Sequence, residues 1–192
     1  MGILATLQQV FSIDYPLVDP AAFAAFYEQS HPAVFRYVYM LHGGPPGDVE
    51  DITAEVFARA WARRQRFAGS AEAALGWVVT IARRLVIDQQ RRQRHRHTSV
   101  LDDAMPADHA GGPEQHAILR EREQLALDLL ARVSLEQRDL LILRYFLDWR
   151  VRDIARHLGR SEGAVSVSIH RALSALRAHG ISLTAQEAAD VA

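Results

Sequence analysis

Apolar residues recur three and four positions apart in segment after segment of this chain, and no convincing run alternates apolar with polar residues as a strand would. The pattern predicts an all-α protein. Asp19 followed by Pro20 is a cap and a favoured first residue, opening a helix through "AAFAAFYEQS". A second helix, "PAVFRYVYMLH", is predicted to stop at Gly43-Gly44 and Pro45-Pro46, and Asp48 opens a third, "DVEDITAEVFARAWARRQRF". Ser70 caps a long fourth, "AEAALGWVVTIARRLVIDQQRRQRHR". Further on come "EQHAILREREQLALDLLARV", then "LEQRDLLILRYFL" behind a capping box of Ser134 and Gln137, then two short helices.

Between these groups the periodicity fails. "TSVLDDAMPADHAGGPE" is acidic, carries Gly-Gly and two prolines, and reads as a flexible tether. The expected organisation is an extension at 1–19, a helical domain at 20–97, a linker at 98–116, a second helical domain at 117–180 and a tail at 181–192.

Composition narrows the function. The 192 residues are 49% hydrophobic with a formal net charge of -1, so any nucleic-acid surface must come from the distribution of charge. Every basic residue is Arg, which fits either a genome-wide codon bias or planar, bidentate recognition. The absence of Cys excludes disulfides, zinc ribbons and thiol redox sensing by this chain. "MGILATLQQV" lacks the basic start of a secretory signal, and the apolar run "ALGWVVTIA" is too short to span a bilayer, so the chain reads as soluble.

Three stretches carry candidate chemistry. In "VRDIARHLGRSEGAVSVSIHRAL", Ala155, Gly159 and Val165 supply the small residue, the turn residue and the packing residue that a helix-turn-helix requires. Ile154 and Leu158 complete the buried face of the first helix; Ile169, Ala172, Leu173 and Leu176 complete that of the second, capped by Ser161. An ordinary helical hairpin satisfies the same positions. Charge favours DNA: Arg150, Arg152, Arg156, Arg160, Arg171 and Arg177 stand against only Asp153 and Glu162. In "DVEDITAEVFARAW", Asp48, Asp51 and Glu55 form an acidic stripe that is either solvated or docks a basic partner. The fourth helix ends with Arg83, Arg84, Arg91, Arg92, Arg94 and Arg96 beyond Trp77, a pattern suited to a single strand, although Trp77 is equally readable as core.

Taken in order, these stretches resemble the extracytoplasmic function sigma factors, the smallest group of the sigma-70 family of bacterial initiation factors. The resemblance covers about Phe23 to Arg177. It implies a transcription initiation factor that binds core RNA polymerase and directs it to promoters. The first domain would bind the polymerase clamp helices through Asp48, Glu50, Asp51, Glu55, Phe57 and Trp61, and would melt the minus-ten element and capture a base through Trp77, Arg83, Arg84, Arg91 and Arg92. The second would sit on the minus-thirty-five element through Arg150, Arg160, Ser161, Ser166, Val167, Ser168, His170 and Arg171, with the polymerase flap on its other side. The linker would thread toward the active-site and RNA-exit channel. The resemblance also implies a cytoplasmic protein held silent by an anti-sigma partner, which can tether it at the membrane.

The chain departs from the family pattern at informative places. Ala54 replaces the usual Gln of the polymerase-binding helix, and Arg84 the usual Asn beside the base-capturing region. Where relatives read G-T-V-K-S-R-L-H-R-A, this chain reads "GAVSVSIHRA", losing cations at Ser166 and Ser168, while Arg160 replaces an apolar turn residue and Arg150 a Ser cap. The expectation is a helix that still enters the groove but reads it through serine hydroxyls, a Val167 contact to a thymine methyl and DNA shape. A face turned to an inhibitor protein is the competing reading of those residues. A stand-alone helix-turn-helix regulator is the alternative for the whole chain, but it leaves the acidic and basic helices of the first domain without a role. No phosphate loop or nucleophile-base spacing suggests an enzyme, no small-molecule substrate, cofactor or metal is expected, and His95-x-His97 lacks the spacing of a helical ligand pair.

Overall fold

The computed structural model describes residues 17–96 and 125–178, with the side chains of 71, 72 and 93–96 excepted. These fall into two compact units, and no strand occurs among the described residues. The expected linker, tail and most of the N-terminal extension lie outside them, as do the side chains of His95 and His97.

Three helices build the first unit: α1 (Pro20–His42), α2 (Pro46–Arg63) and α3 (Ala71–Arg96), each packed on the other two. The Asp19 carboxylate accepts from the Ala22 amide at 2.8 Å, and Gly43, at φ 67°, closes α1 through its N–H to the Tyr39 carbonyl. The two helices expected between Pro20 and His42 are one, running through Pro32. Proline removes a backbone bond, but Phe23, Phe26, Ser30, Ala33, Val34, Tyr37, Val38 and Leu41 keep a single buried stripe across it. Packing of that stripe overrides the local signal. A second, smaller difference is that α2 starts at Pro46, whose missing N–H is harmless in the first turn, two residues before the expected Asp48.

The core between these helices is apolar and closed. Val34, Tyr37, Val38 and Leu41 of α1, Val49, Val56 and Ala60 of α2 and Ala74, Val78, Val79, Ala82 and Val86 of α3 are all buried. Buried Ser30 and Thr53 satisfy their hydroxyls on the carbonyls one turn back, Phe26 at 2.6 Å and Val49 at 2.7 Å. From α3, the Gln90 amide donates to the carbonyls of Leu41 and His42, fastening the basic helix to the end of α1.

In the second unit, helical residues 125–131 (α4) lead to Ser134, whose hydroxyl accepts from the Gln137 amide while the Gln137 side chain accepts from the Ser134 amide. The capping box opens α5 (Leu135–Leu141), which widens into a π-helical turn over Ile142–Phe146. Arg138 donates from Nε to the Leu130 carbonyl at 2.9 Å, and its burial lowers its pKa from the ordinary arginine value. Helices α6 (Val151–Leu158) and α7 (Glu162–Ala178) follow, α7 packing on both α5 and α6.

Candidate functional site

The turn between α6 and α7 is built as the sequence requires. Gly159 adopts φ 65°, its amide reaches the Arg156 carbonyl at 3.4 Å, and the Arg160 amide reaches the Ala155 carbonyl at 2.9 Å. This pair of reversed bonds is a Schellman close, which needs a left-handed residue at its corner. The Ser161 hydroxyl then accepts from the Ala164 amide at 3.3 Å and caps α7. Ile154, Ala155, Val165, Ile169, Ala172, Leu173 and Leu176 are buried, so two helices cross on a small residue and the opposite face of α7 is left outward.

That outward face is only sparsely basic. Val167 is 50% exposed and His170 and Arg171 are exposed, while Ser166 is half-buried. Ser168 has a definite job: its Oγ donates to the Ala164 carbonyl at 2.8 Å and accepts from the Arg160 guanidinium at 2.7 Å. Its single hydrogen is committed, so it offers a groove only a lone pair. Arg160 also donates to the Glu136 carboxylate at 2.7 Å. Arg152 and Arg156 both lie on Asp153, at 3.5 and 3.2 Å. Arg150 is exposed at the start of α6 with no side-chain cap bond, as replacement of a Ser cap would leave it.

On the first unit, α2 presents exposed Glu50, Asp51 and Glu55, the last paired with Arg59 at 2.6 Å. Asp48 is half-buried and accepts from Gln89 of α3 at 3.4 Å, so the first member of the expected acidic stripe faces its own neighbour helix. Phe57 is a core residue at 4% exposure, wedged edge-on against Tyr27 at 4.7 Å and stacked with His31 at 5.8 Å; it supports the surface and does not form it. Trp61 is 37% exposed, edge-on to Phe23 and covered by the Arg64 guanidinium at 3.5 Å. Arg64, which no motif singles out, is held there by donating to the carbonyls of Trp61 and Val18.

Along α3, Trp77, Arg84 and Arg91 follow one another at seven-residue intervals and so share a face. Arg84, Asp88, Arg91 and Arg92 are exposed and Arg83 is half-buried. Trp77 is half-buried under Phe67, the two rings stacked at 4.9 Å. No pattern along the chain singles out Phe67; it lies in the loop before α3, and only proximity in space links it to the tryptophan. Among the described residues, no group of three or more His, Cys, Asp or Glu side chains is arranged to hold a metal. No described helix is long and apolar enough to cross a membrane.

Comparison with known proteins bears on both units. Residues 26–96 match Sigma-70 region 2, and residues 123–176 match Sigma-70, region 4. The ECF RNA polymerase sigma factor SigL of Mycobacterium tuberculosis is 31% identical over 169 residues, which is 88% of this chain and 92% of the relative. ShbA of Streptomyces griseus, another ECF RNA polymerase sigma factor, is 37% identical over 77% of this chain and 82% of its own. The fold is similar to that of the sigma factor RpoE from Bartonella quintana, solved in complex with the anti-sigma factor NepR, with a TM-score of 0.63, 21% identity and coverage of 81% of this chain and 94% of that one. It is similar too to CnrH in complex with the cytosolic domain of CnrY, with a TM-score of 0.61, 20% identity and coverage of 83% and 88%. An acidic helix, a basic helix beyond a tryptophan and a helix-turn-helix therefore occur in the order, and within the matched regions, of one family: the chain belongs to the ECF sigma factors of the sigma-70 family, which direct RNA polymerase to promoters.

Proposed function

We propose that the two units divide promoter recognition between them. The first binds the clamp helices of core polymerase through the exposed acids of α2, Glu50, Asp51 and Glu55, with Trp61 beside them and Phe57 bracing them from the core. Its α3 opens the minus-ten element, with Arg84, Arg91 and Arg92 on the strand and Trp77 near the captured base. The second unit lies on the minus-thirty-five element with α7 toward the groove, Arg150 and Arg171 toward phosphates, and the polymerase flap on its far side. The 98–116 linker runs toward the active-site and RNA-exit channel.

The observation that carries this reading is the coexistence, in one chain, of an exposed acidic face on α2, an exposed basic face on α3 and a correctly closed helix-turn-helix. A duplex-binding regulator needs only the last. The RpoE and CnrH structures contain NepR and part of CnrY, which supports an anti-sigma partner for this cytoplasmic chain as well, one able to tether it at the membrane. Run-off transcription with purified core polymerase on genomic fragments tests the proposal. Factor-dependent transcripts sharing two upstream elements are expected. Stable exclusion from core polymerase, with no factor-dependent transcript, would overturn it.

A further inference from the structure

The family pattern places a cation at position 168, and this chain has Ser168 there; the same chain has Arg160 where an apolar turn residue is usual. The structure brings these two departures together. Arg160 reaches back from the turn and sets one guanidinium nitrogen on the Ser168 Oγ at 2.7 Å and near the Ala164 carbonyl at 3.5 Å, while the other donates to Glu136 at 2.7 Å. We propose that Arg160 is a relocated DNA contact: it supplies from the turn the cation missing at position 168, Ser168 holds it over α7, and the Glu136 carboxylate occupies it until a backbone phosphate of duplex DNA takes its place. This rests on the reading of the second unit as a duplex-binding module.

Three features support an exchangeable contact over a fixed brace. The Glu136 side chain is 67% exposed and that of Arg160 is 30% exposed, so their ion pair is a solvated one and is easily exchanged. Of the five guanidinium N–H groups, the three observed contacts use at most three, which leaves donors for a phosphate. Ser168 is itself fixed by its bond to the Ala164 carbonyl, so the cradle stays when Glu136 is released. A phosphate carries the same charge as Glu136 and accepts the same paired geometry, and it brings the far stronger field of the duplex. Two consequences follow in opposite directions: losing Arg160 removes a phosphate contact, whereas neutralising Glu136 removes a competitor.

The test is fluorescence anisotropy of a labelled mixed-sequence duplex with the full-length chain, titrated at several salt concentrations. Arg160→Gln should reduce the slope of log K against log salt by about one. Glu136→Gln should tighten binding about twofold to fivefold, the worth of an exposed ion pair, and should do nothing on top of Arg160→Gln. Arg160→Lys, which keeps the charge, should keep the slope, and thermal unfolding of each variant shows whether it is folded. An unchanged slope in Arg160→Gln accompanied by a lower Tm would make Arg160 a brace and overturn the proposal, as would weaker binding by Glu136→Gln. If the unaltered chain fails to bind the duplex even at low salt, the duplex-binding reading of the second unit falls, and this inference with it.

Discussion

Phe67 lies stacked on Trp77, the ring centroids 4.9 Å apart and the planes 28° from parallel. One face of the indole is therefore already covered before any base arrives. The close depends on Gly69, where an added Cβ would come within 2.7 Å of the Phe67 ring tip. Gly69→Ala is expected to push Phe67 off Trp77 and to cost about 0.5–1.5 kcal/mol, the worth of an aromatic pair. Denaturant unfolding of the full chain measures this; an unchanged midpoint for the first unit would show that the stack contributes nothing.

Pro32 gives a prediction of the opposite sign. It sits exposed inside α1, where a proline interrupts the backbone ladder. Pro32→Ala restores a hydrogen bond and relieves a clash without touching the buried stripe, and is expected to raise stability by up to about 3 kcal/mol. The gain is read as a higher unfolding midpoint. A loss would mean that the helix is bent at Pro32 in a way its neighbours require.

The same residue marks the limit of what the chain reveals before folding. Capping signals and the Ala155, Gly159 and Val165 framework are local, and both are legible because adjacent residues carry the whole signal. Pro32 is local as well, but it points the wrong way: the decision to continue α1 is made by Val34, Tyr37 and Leu41 against α2 and α3. Ring contacts such as Phe67 on Trp77 join residues whose order says nothing of their proximity. The Arg160 contact to Glu136 spans 24 positions, so no pattern along the chain joins the turn to the first residues of α5.

Gly159 tests the framework itself. Its left-handed φ of 65° is closed by two backbone bonds, yet a Cβ there would meet nothing within 4 Å. Gly159→Ala therefore carries only backbone strain, about 1–2 kcal/mol, and Gly159→Asn less because Asn tolerates this region. Thermal unfolding should rank the three residues Gly, Asn, Ala. Equal stability of Ala and Gly would mean that the turn reorganises.

On α2, surface and core should separate cleanly. Reversing Glu50 and Asp51, both exposed, is expected to leave the unfolding midpoint within about 0.5 kcal/mol of the original while abolishing retention by core polymerase. Phe57→Ala removes a buried ring from between Tyr27 and His31 and should cost about 3–5 kcal/mol. Retention by core polymerase of the folded charge-reversed chain would remove the acidic face from the interface.

The serines of α7 offer the sharpest contrast, because the sequence treats them alike and the structure does not. Ser166 has no committed guanidinium beside it, so Ser166→Lys adds a cation to the outward side of the helix and should steepen the salt dependence of duplex binding by about one unit. Ser168 already receives Arg160 at 2.7 Å. Ser168→Arg places a second guanidinium against the first and deletes the acceptor that held it, so it should add little affinity and lower the Tm through like-charge repulsion. Removing Arg160 should reverse that outcome: in an Arg160→Gln background, Ser168→Arg restores a cation to an empty place and should recover the salt slope. The double-mutant cycle therefore has a large coupling energy at positions 160 and 168 and none at 160 and 166. Equal, additive gains from Ser166→Lys and Ser168→Arg, whatever residue stands at 160, would show that Arg160 leaves Ser168 once DNA is bound and plays no part in how α7 meets the groove.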